Sequence, residues 1–517
     1  MSDSPAIGRT HVVDTESGPV RGRTDAVVNS WRSIPYAQPP LGSLRWRAPR
    51  PHEPWTQVRD AVEFGAVCPQ PDNPAVDLGP ANIRDEDCLT LSVWTSATTT
   101  PDDRLPVMVW IHGGAYLMGS GSQPLYDASH LVADGAMVVV TVNYRLGPFG
   151  FLDVSQLSTN ARPVDSNLGL RDVIRALEWV RDNVGEFGGD SGAVTLAGES
   201  AGGGIVTTLL ATPTARGLFH RAIAQSSPAG SVYGIDHARR AVNAWVGLLG
   251  VTEDPTAALD ADTDSIVAAG NEIFAALPKT EPGVIPFAPT IDGDLVPENP
   301  LSAIRAGRGY AVPLLIGTNR DEAAAFKFMR SPLIPITDNE LLEMMTTVAE
   351  EQPDLVIPSR VDVESAYSVH RRRDRGVMVA GDLGFRMPTL WLVDGHWRHA
   401  PVYLYRFDWA TPLMKAVHVG ATHATELPYT WGNLDVRGMK LATAIGGRKP
   451  GEQLSERLRR RWEAFVTGAE PNTADDVDWP AYTADEPATL LIDREDAVRY
   501  DVDDRIRAIW GDDVISF

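Results

Sequence analysis

The chain has 517 residues, of which 43% are hydrophobic and 22% are charged, and its formal net charge is −22. The apolar fraction is typical of a globular protein with a large core. The negative charge argues against nucleic acid or an anionic membrane as a partner. The longest apolar runs, Leu105–Ile111 and 136–142, are much shorter than the roughly 18 residues that a membrane helix needs. Composition therefore predicts an acidic globular protein without a membrane span.

The N-terminal residues 1–10 carry neither a basic segment nor an apolar core, so they do not resemble a secretory signal peptide. We expect this segment to be disordered and the protein to be cytoplasmic. The chain has only two cysteines, Cys68 and Cys88. They can close one surface loop as a disulfide, or they can remain free thiols in a reducing cytosol, and the sequence leaves both alternatives open.

Strand and helix patterns follow one another along the chain. Residues 12–28 alternate polar and apolar positions, as antiparallel hairpin strands do. The continuous apolar runs Leu105–Ile111 and 136–142 predict strands that are covered on both faces, and 86–94 predicts an alternating strand. A helix is expected at 167–186, where apolar residues recur at helical spacing. Further strands are expected at 193–197, 222–225, 312–316 and 402–407.

Alternation of strands and helices predicts an α/β protein with a mostly parallel sheet flanked by helices. The segments 236–277 and 338–399 are helix-rich, and we expect them to be insertions over the carboxyl ends of the strands. Ligands bind at that edge of open α/β sheets. We found no repeat and no low-complexity linker, so 11–517 is interpreted as one compact domain.

The sequence Gly-Glu-Ser-Ala-Gly at 198–202 lies between a predicted strand and a predicted helix. A strand, a sharp Gly-x-Ser-x-Gly turn and a helix are typical of the nucleophile elbow of α/β-hydrolases. The outer glycines are needed because strand and helix cross closely, where a Cβ would clash. This pattern makes Ser200 the candidate nucleophile.

A serine nucleophile needs an imidazole to accept its proton and a carboxylate to orient that imidazole. In this fold the acid and then the histidine follow the serine along the chain. His423 lies after the last predicted parallel strand among small neighbours, and His418 is the alternative base. Asp321 and Glu322 both follow a predicted strand, and spacing alone does not separate them.

The oxyanion of a tetrahedral intermediate needs preorganised hydrogen-bond donors. The backbone N–H of Ala201, directly after the nucleophile, is one candidate. The Gly-Gly-Ala loop at 113–115 follows a predicted buried strand and supplies further candidates.

Two other patterns resemble functional motifs. Gly-Asp-Ser-Gly at 189–192 resembles a serine-protease motif, but it is expected in a connection between a helix and a strand, without all-β surroundings. His396 and His399 have metal-like spacing but no third ligand nearby in sequence, so we expect a surface feature and no metal site.

Short motifs in a fixed order cover almost the whole chain. They are Ile-Pro-Tyr-Ala at 34–37, Glu-Asp-Cys-Leu at 86–89, Trp-Ile-His-Gly-Gly-Ala at 110–115, Asn-Tyr-Arg at 143–145, Asn-Leu-Gly-Leu-Arg-Asp at 167–172, Phe-Gly-Gly-Asp at 187–190, Gly-Glu-Ser-Ala-Gly-Gly at 198–203, Ala-Gln-Ser at 224–226, Asp-Gly at 292–293, Asp-Glu at 321–322, His-Ala-Thr-Glu-Leu at 423–427, Thr-Gly at 467–468 and Pro-Asn at 471–472. With these motifs the chain resembles the type-B carboxylesterase/lipase family, which also contains the cholinesterases. It looks most similar to bacterial p-nitrobenzyl-esterase-like members.

The resemblance implies an α/β-hydrolase fold and hydrolysis of small carboxylic esters through an acyl-enzyme, with no metal or cofactor. It assigns the acid to Glu322 and the base to His423, and it makes Ser226 a buried hydroxyl near the triad. Tyr116 and Phe287 match positions of the substrate pocket. The oxyanion donors correspond to Gly114, Ala115 and Ala201.

The segment between Cys68 and Cys88 contains no aromatic residue. In cholinesterases this loop carries a tryptophan that binds a quaternary ammonium by cation–π attraction. The difference argues against choline esters and favours uncharged esters. Hydrolysis of amides, carbamates or thioesters by the same residues stays open, as does, more remotely, a non-catalytic binding role. The sequence makes no prediction about the oligomeric state.

Overall fold

One large sheet runs through the computed structural model, which describes residues 8–79, 82–329, 331, 333–368, 372–468 and 470–515. Its thirteen strands in these residues are β1 (Gly8–Thr15), β2 (Gly18–Thr24), β3 (Val28–Pro35), β4 (Arg59–Asp60), β5 (Thr90–Ser96), β6 (Leu105–Ile111), β7 (Val138–Val142), β8 (Gly189–Glu199), β9 (Arg221–Gln225), β10 (Leu314–Asn319), β11 (Val402–Phe407), β12 (Thr489–Ile492) and β13 (Ala497–Arg499). Strand β1 begins at Gly8, so the last three residues of the segment expected to be disordered are in a strand; residues 1–7 lie outside the described part.

The strand order is β1-β2-β3-β5-β7-β6-β8-β9-β10-β11-β12-β13, and β4 pairs with β2. All pairings from β7 through β6, β8, β9, β10 and β11 to β12 are parallel. The pairings from β1 to β7 along the strand order and the β12–β13 pairing are antiparallel, and the short β4 pairs with β2 in parallel. The predicted mostly parallel sheet is therefore confirmed.

Helices cover both faces of this sheet. The α-helices of the described residues are α1 (Ser129–Val132), α2 (Gly147–Phe151), α3 (Leu168–Asn183), α4 (Ala201–Leu209), α5 (Ile235–Leu248), α6 (Thr263–Thr280), α7 (Pro300–Arg305), α8 (Ala324–Met329), α9 (Asp338–Glu351), α10 (Arg360–Ala366), α11 (Arg372–Gly381), α12 (Met387–His396), α13 (Pro412–Ala416), α14 (Leu427–Trp431), α15 (Met439–Thr443), α16 (Arg448–Val466) and α17 (Asp504–Trp510). A π-helical segment, Asp382–Arg386, joins α11 to α12. Short 3₁₀ helices lie at Gly42–Leu44, Pro124–Tyr126, Val154–Leu157, Val184–Phe187, Pro213–Ala215 and Pro255–Asp260.

The continuous apolar run in β6 has a direct structural reason. Val107 and Val109 pack into one hydrophobic core, and Met108 and Trp110 pack into a second core on the opposite face. Successive side chains of a strand point to opposite faces, so a strand between two cores is apolar at every position.

The parallel registers bring the carboxyl ends of several strands to one edge. Ile111 of β6 pairs with Gly198 of β8, and Gly198 pairs in turn with Ala224 of β9. On the other side of β9, Gln225 pairs with Gly317 of β10. Loops that leave β6, β8, β9 and β10 therefore meet at the same place.

Two expectations about single residues need correction. His396 is not a surface residue: it is 2% exposed, and its Nε2 lies 2.7 Å from the carbonyl oxygen of Val312. The Gly-Asp-Ser-Gly motif at 189–192 forms the first residues of β8 instead of a connection.

Cys68 and Cys88 are both buried free thiols, so of the two alternatives left open by the sequence the structure has the reduced one. Within the described residues, no helix is both long and apolar enough to cross a bilayer.

Candidate active site

Ser200 lies at the sharp turn between β8 and α4. Its φ of 56° and ψ of −124° are a strained conformation for a residue with a side chain. A Cβ at Gly202 would overlap the carbonyl oxygen of Ile111, and a Cβ at Gly198 would lie 2.6 Å from the carbonyl carbon of Gly202. Only glycines permit this crossing of strand and helix, and the strained turn exposes the serine hydroxyl at the edge of the sheet.

His423 lies on the loop between α13 and α14 and reaches both the serine and a carboxylate. Its Nε2 is 2.8 Å from the Oγ of Ser200, and its Nδ1 is 2.7 Å from an Oε2 of Glu322. His418, the alternative base, is exposed and does not take part in this contact. The structure therefore brings Ser200, His423 and Glu322 together in hydrogen-bond geometry.

The two carboxylates at 321 and 322 have different surroundings. Asp321 accepts a hydrogen bond of 2.9 Å from the backbone N–H of Ala421 and pairs with Arg320 at 3.0 Å. Glu322 is 3% exposed and turns inward to His423. The geometry thus separates two residues that spacing in the sequence does not.

Two donors orient the carboxylate of Glu322. The hydroxyl of Ser226 donates to Oε1 at 2.6 Å, and the backbone N–H of Asn319 donates to the same oxygen at 2.7 Å. Ser226 is fully buried and has a φ of 45°. The structure thus places Ser226 in direct contact with Glu322, and its role beside the candidate triad stays a prediction.

The glycine-rich loop after β6 lies directly against the elbow. A Cβ at Gly113 would come within 3.0 Å of the Cβ of Ser200. Gly114 and Ala115 have φ values of 121° and 53°, which turn their peptide planes away from regular structure. In the described part of the chain, the N–H groups of Gly114, Ala115 and Ala201 have no hydrogen-bond acceptor. Three free donors beside the half-buried hydroxyl of Ser200 are what an oxyanion hole requires.

The sequence reasoning missed a further carboxylate, Glu199. Its side chain is only 4% exposed, and its Oε1 lies 3.3 Å from the Nε2 of His423. That oxygen has no hydrogen-bond partner in the described residues. Burial raises the pKa of Glu199 to about 8. In the sequence, Glu199 directly precedes the candidate nucleophile at the end of a predicted strand, and this position could have indicated that it lies in the site.

Glu426 is a third buried carboxylate near the base. It accepts a hydrogen bond of 2.6 Å from the side-chain amide of Asn319, and burial raises its pKa to about 7. Burial alone lowers the pKa of His423, but Glu199 and Glu322 more than reverse this effect, so the pKa of His423 is raised to about 9. The surroundings therefore stabilise the imidazolium form.

Two aromatic rings lie against the imidazole of His423. The ring centroids of Phe385, on the π-helical segment, and of Phe326, on α8, lie 4.7 Å and 5.4 Å from that of His423. The sequence reasoning missed both, because nothing in their local pattern relates them to residue 423.

The predicted pocket residues Tyr116 and Phe287 lie in the core. Tyr116 is 1% exposed, and its hydroxyl packs so closely on α4 that a Cβ at Gly204 would overlap it. Phe287 is fully buried and stacks on Phe274 with a centroid distance of 6.2 Å. Their substrate-binding role stays a prediction.

The chain is similar in sequence and in fold to known esterases and hydrolases. The model of the Carboxylesterase family matches residues 9–509. The para-nitrobenzyl esterase of Bacillus subtilis (strain 168) is 38% identical over 95% of this chain and 97% of its own length. The phenmedipham hydrolase of Pseudarthrobacter oxydans is 34% identical over 94% of this chain and 96% of its own. A solved structure of a thermophilic PNB esterase superposes with a TM-score of 0.86 at 35% identity, covering 97% of this chain and 99% of that one. The chain therefore has the α/β-hydrolase fold, belongs to the carboxylesterase family and is a carboxylic ester hydrolase.

Proposed function

We propose that this protein is a serine esterase that hydrolyses small uncharged carboxylic esters through an acyl-enzyme. The observation that carries the proposal is the position of His423, 2.8 Å from the hydroxyl of Ser200 and 2.7 Å from the carboxylate of Glu322. A hydroxyl, an imidazole and a carboxylate in this contact order form the constellation of nucleophile, general base and orienting acid.

The first half of the reaction forms an ester of Ser200. The Oγ attacks the substrate carbonyl while the Nε2 of His423 takes the hydroxyl proton. Glu322 accepts the Nδ1–H and keeps the ring in the orientation that this transfer needs. The developing oxyanion receives hydrogen bonds from the N–H groups at 114, 115 and 201, each worth about 3–4 kcal/mol.

The acyl-enzyme is complete when the imidazolium gives its proton to the leaving alcohol oxygen as the C–O bond breaks. The second half releases the acid. A water molecule takes the place of the alcohol and attacks the acyl carbon while His423 accepts a proton from it. The imidazolium then returns this proton to the Oγ of Ser200 as the ester bond breaks and the carboxylic acid leaves. The triad, the backbone donors and water complete this cycle, so the proposal includes no metal or cofactor.

The preference for uncharged esters is supported by the lack of aromatic residues between Cys68 and Cys88. An aromatic face is the usual partner of a quaternary ammonium group. The same triad can attack amides, carbamates and thioesters, which makes a hydrolase of these substrates the second candidate.

The first test removes the nucleophile. Ser200→Ala should lower kcat for p-nitrophenyl acetate by about 10⁴-fold or more, because a triad works as one unit. Ser191→Ala, in the protease-like motif at 189–192, is the matched control and should keep full activity. Retained activity in the Ser200→Ala variant would contradict the assignment of Ser200 as the nucleophile.

A second test concerns the bond that is cleaved. We expect p-nitrophenyl acetate to be hydrolysed orders of magnitude faster than p-nitroacetanilide, the amide of matched shape. A series of p-nitrophenyl esters with increasing acyl length then measures the acyl preference. Equal kcat/KM for amide and ester would favour the second candidate.

A further inference from the structure

A cavity of about 930 Å³ lies beside Glu322, at the carboxyl ends of β10 and β11. Glu322 forms part of its wall, whereas its carboxylate turns away to His423. The residues described around this cavity do not include Ser200, His423 or the oxyanion loop. It is thus a separate space that adjoins the triad through its acid, at the edge of the sheet where α/β proteins bind ligands.

The charge of this cavity differs from that of the chain. Six arginine and lysine side chains line it against five carboxylates, in a protein whose formal net charge is −22. Most of these carboxylates already have partners. Asp503 pairs with Arg386 at 2.6 Å, Asp374 with Lys327 at 3.0 Å and Asp321 with Arg320 at 3.0 Å.

One lysine at the rim has no carboxylate partner. The ammonium of Lys415 is exposed and has no ion pair among the described residues. It lies over the ring of Trp409, 5.7 Å from the ring centroid. Arg320 lies on the same cavity, but it already pairs with Asp321 at 3.0 Å and lies 3.9 Å from Asp408. Lys415 is therefore the cation that offers a place for one additional anionic group.

Large apolar side chains stand beside these cations. Phe328 is 77% exposed and Val417 is 53% exposed, and both line the cavity. Met378, Val419 and Ile506 continue the apolar lining inward. A ligand that covers an exposed phenylalanine removes its apolar surface from water, and this burial favours binding.

We propose that this cavity binds an apolar carboxylate, with its head group at Lys415 and its hydrocarbon tail along Phe328 and Val417. A carboxylic acid with an apolar chain is also what ester hydrolysis releases next to it. The inference uses the ester hydrolase class but does not depend on the serine mechanism.

Octanoate is the probe that tests this site, in calorimetric titrations of the whole enzyme. Lys415→Glu should weaken octanoate binding about fivefold, and Phe328→Ser should weaken it by a similar factor. The controls are Lys279→Glu, which changes an exposed lysine on α6, and Val361→Ser, which changes an exposed apolar residue on α10. Both controls should bind octanoate like the wild type, and all four variants change exposed side chains, so folding is retained.

Two further probes separate charge from chain. Octanamide keeps the tail without the charge, and inorganic phosphate supplies charge without a tail, so both should bind markedly more weakly than octanoate. Octanoate affinity that is unchanged by both cavity variants would overturn the proposal. So would octanamide or phosphate binding as tightly as octanoate. Because Lys415→Glu leaves the triad intact, its turnover of p-nitrophenyl acetate should equal that of the wild type, and failure of the cavity proposal would leave the assignment of Ser200 untouched.

Discussion

Three buried carboxylates, Glu199, Glu322 and Glu426, set the electrostatics of His423. Glu322 contacts the Nδ1 side of the ring, while Glu199 lies 3.3 Å from the same Nε2 that faces Ser200. The proton that the base accepts therefore arrives beside an unpartnered carboxylate oxygen. We infer that Glu199 tunes the base without reacting itself.

Replacing Glu199 by glutamine should change the pH dependence of kcat/KM. His423 must be neutral to accept a proton, so activity rises with pH through its pKa, which its carboxylate neighbours raise to about 9. The Glu199→Gln variant loses one of these neighbours, so the midpoint of the rise should fall by about one pH unit. Because the pKa of Glu199 is itself raised to about 8, its charge acts mainly in the upper part of the range. The measurement is kcat/KM for p-nitrophenyl acetate between about pH 5 and 10.

The control for this experiment is Glu186→Gln, which removes an exposed carboxylate from the surface. It should leave the midpoint where it is in the wild type. A midpoint that stays fixed or moves upward in Glu199→Gln would show that Glu199 does not raise the pKa of the base.

The hydroxyl of Ser226 permits a second prediction about a single residue. Ser226→Ala removes one of the two donors to Oε1 of Glu322. Hydrogen bonds to charged groups are worth about 1.5–3 kcal/mol, so kcat should fall about tenfold while KM changes little. Ser227→Ala, whose buried hydroxyl instead contacts Thr207 at 3.0 Å, is the matched control. Equal losses of kcat in the two variants would mean that the effect comes from packing and not from the orientation of Glu322.

Among the secondary-structure elements, α4 crosses β6 and β8 closely enough to constrain its residues. Gly202 is the second residue of α4, and a Cβ on it would overlap the carbonyl oxygen of Ile111. This contact holds the oxyanion loop, which follows Ile111, at a fixed distance from the nucleophile. The turn at 198–202 therefore also fixes how closely α4 packs on β6.

Gly202→Ala should destabilise the protein, because an added methyl group must push α4 away from β6. Overpacking of this kind costs about 1–3 kcal/mol, and activity should fall with it because the oxyanion loop moves. Gly247→Ala, in the exposed part of α5, has open space for a Cβ and should raise stability by about 0.5–1 kcal/mol. Thermal unfolding of both variants measures the difference. An unchanged Tm in Gly202→Ala would contradict the proposed role of this contact.

For the whole molecule, the sequence predicts the parts that depend on local patterns. The run Leu105–Ile111 coincides with β6, and the strand expected at 402–407 coincides with β11, because most side chains of both strands pack into one of the two cores. Arg406 is the one charged residue of β11. The helix expected at 167–186 corresponds to α3 and the 3₁₀ turn that follows it. By contrast, the alternation in β5 predicts one exposed face, but six of its seven residues are buried, since neighbouring elements cover its polar side chains as well.

The contacts that depend on distant parts of the chain could not be predicted from local patterns. The register of β8 on β6 and β9 decides that Glu199 lies near His423, and register is set by the whole sheet. The cavity beside Glu322 likewise forms where β10, α8 and the π-helical segment meet. Ser200, by comparison, lies within a motif whose strand, turn and helix are all local, so the sequence alone makes it the candidate nucleophile.

The measurement that tests the central claim most directly is the mass of the enzyme during turnover. Wild-type enzyme mixed with p-nitrophenyl acetate and quenched rapidly in acid should carry one acetyl group per chain, on the peptide that contains Ser200. The Ser200→Ala variant should carry none and should release no burst of p-nitrophenol. We predict that result for a serine esterase; turnover without a covalent adduct, or an adduct on another residue, would contradict it.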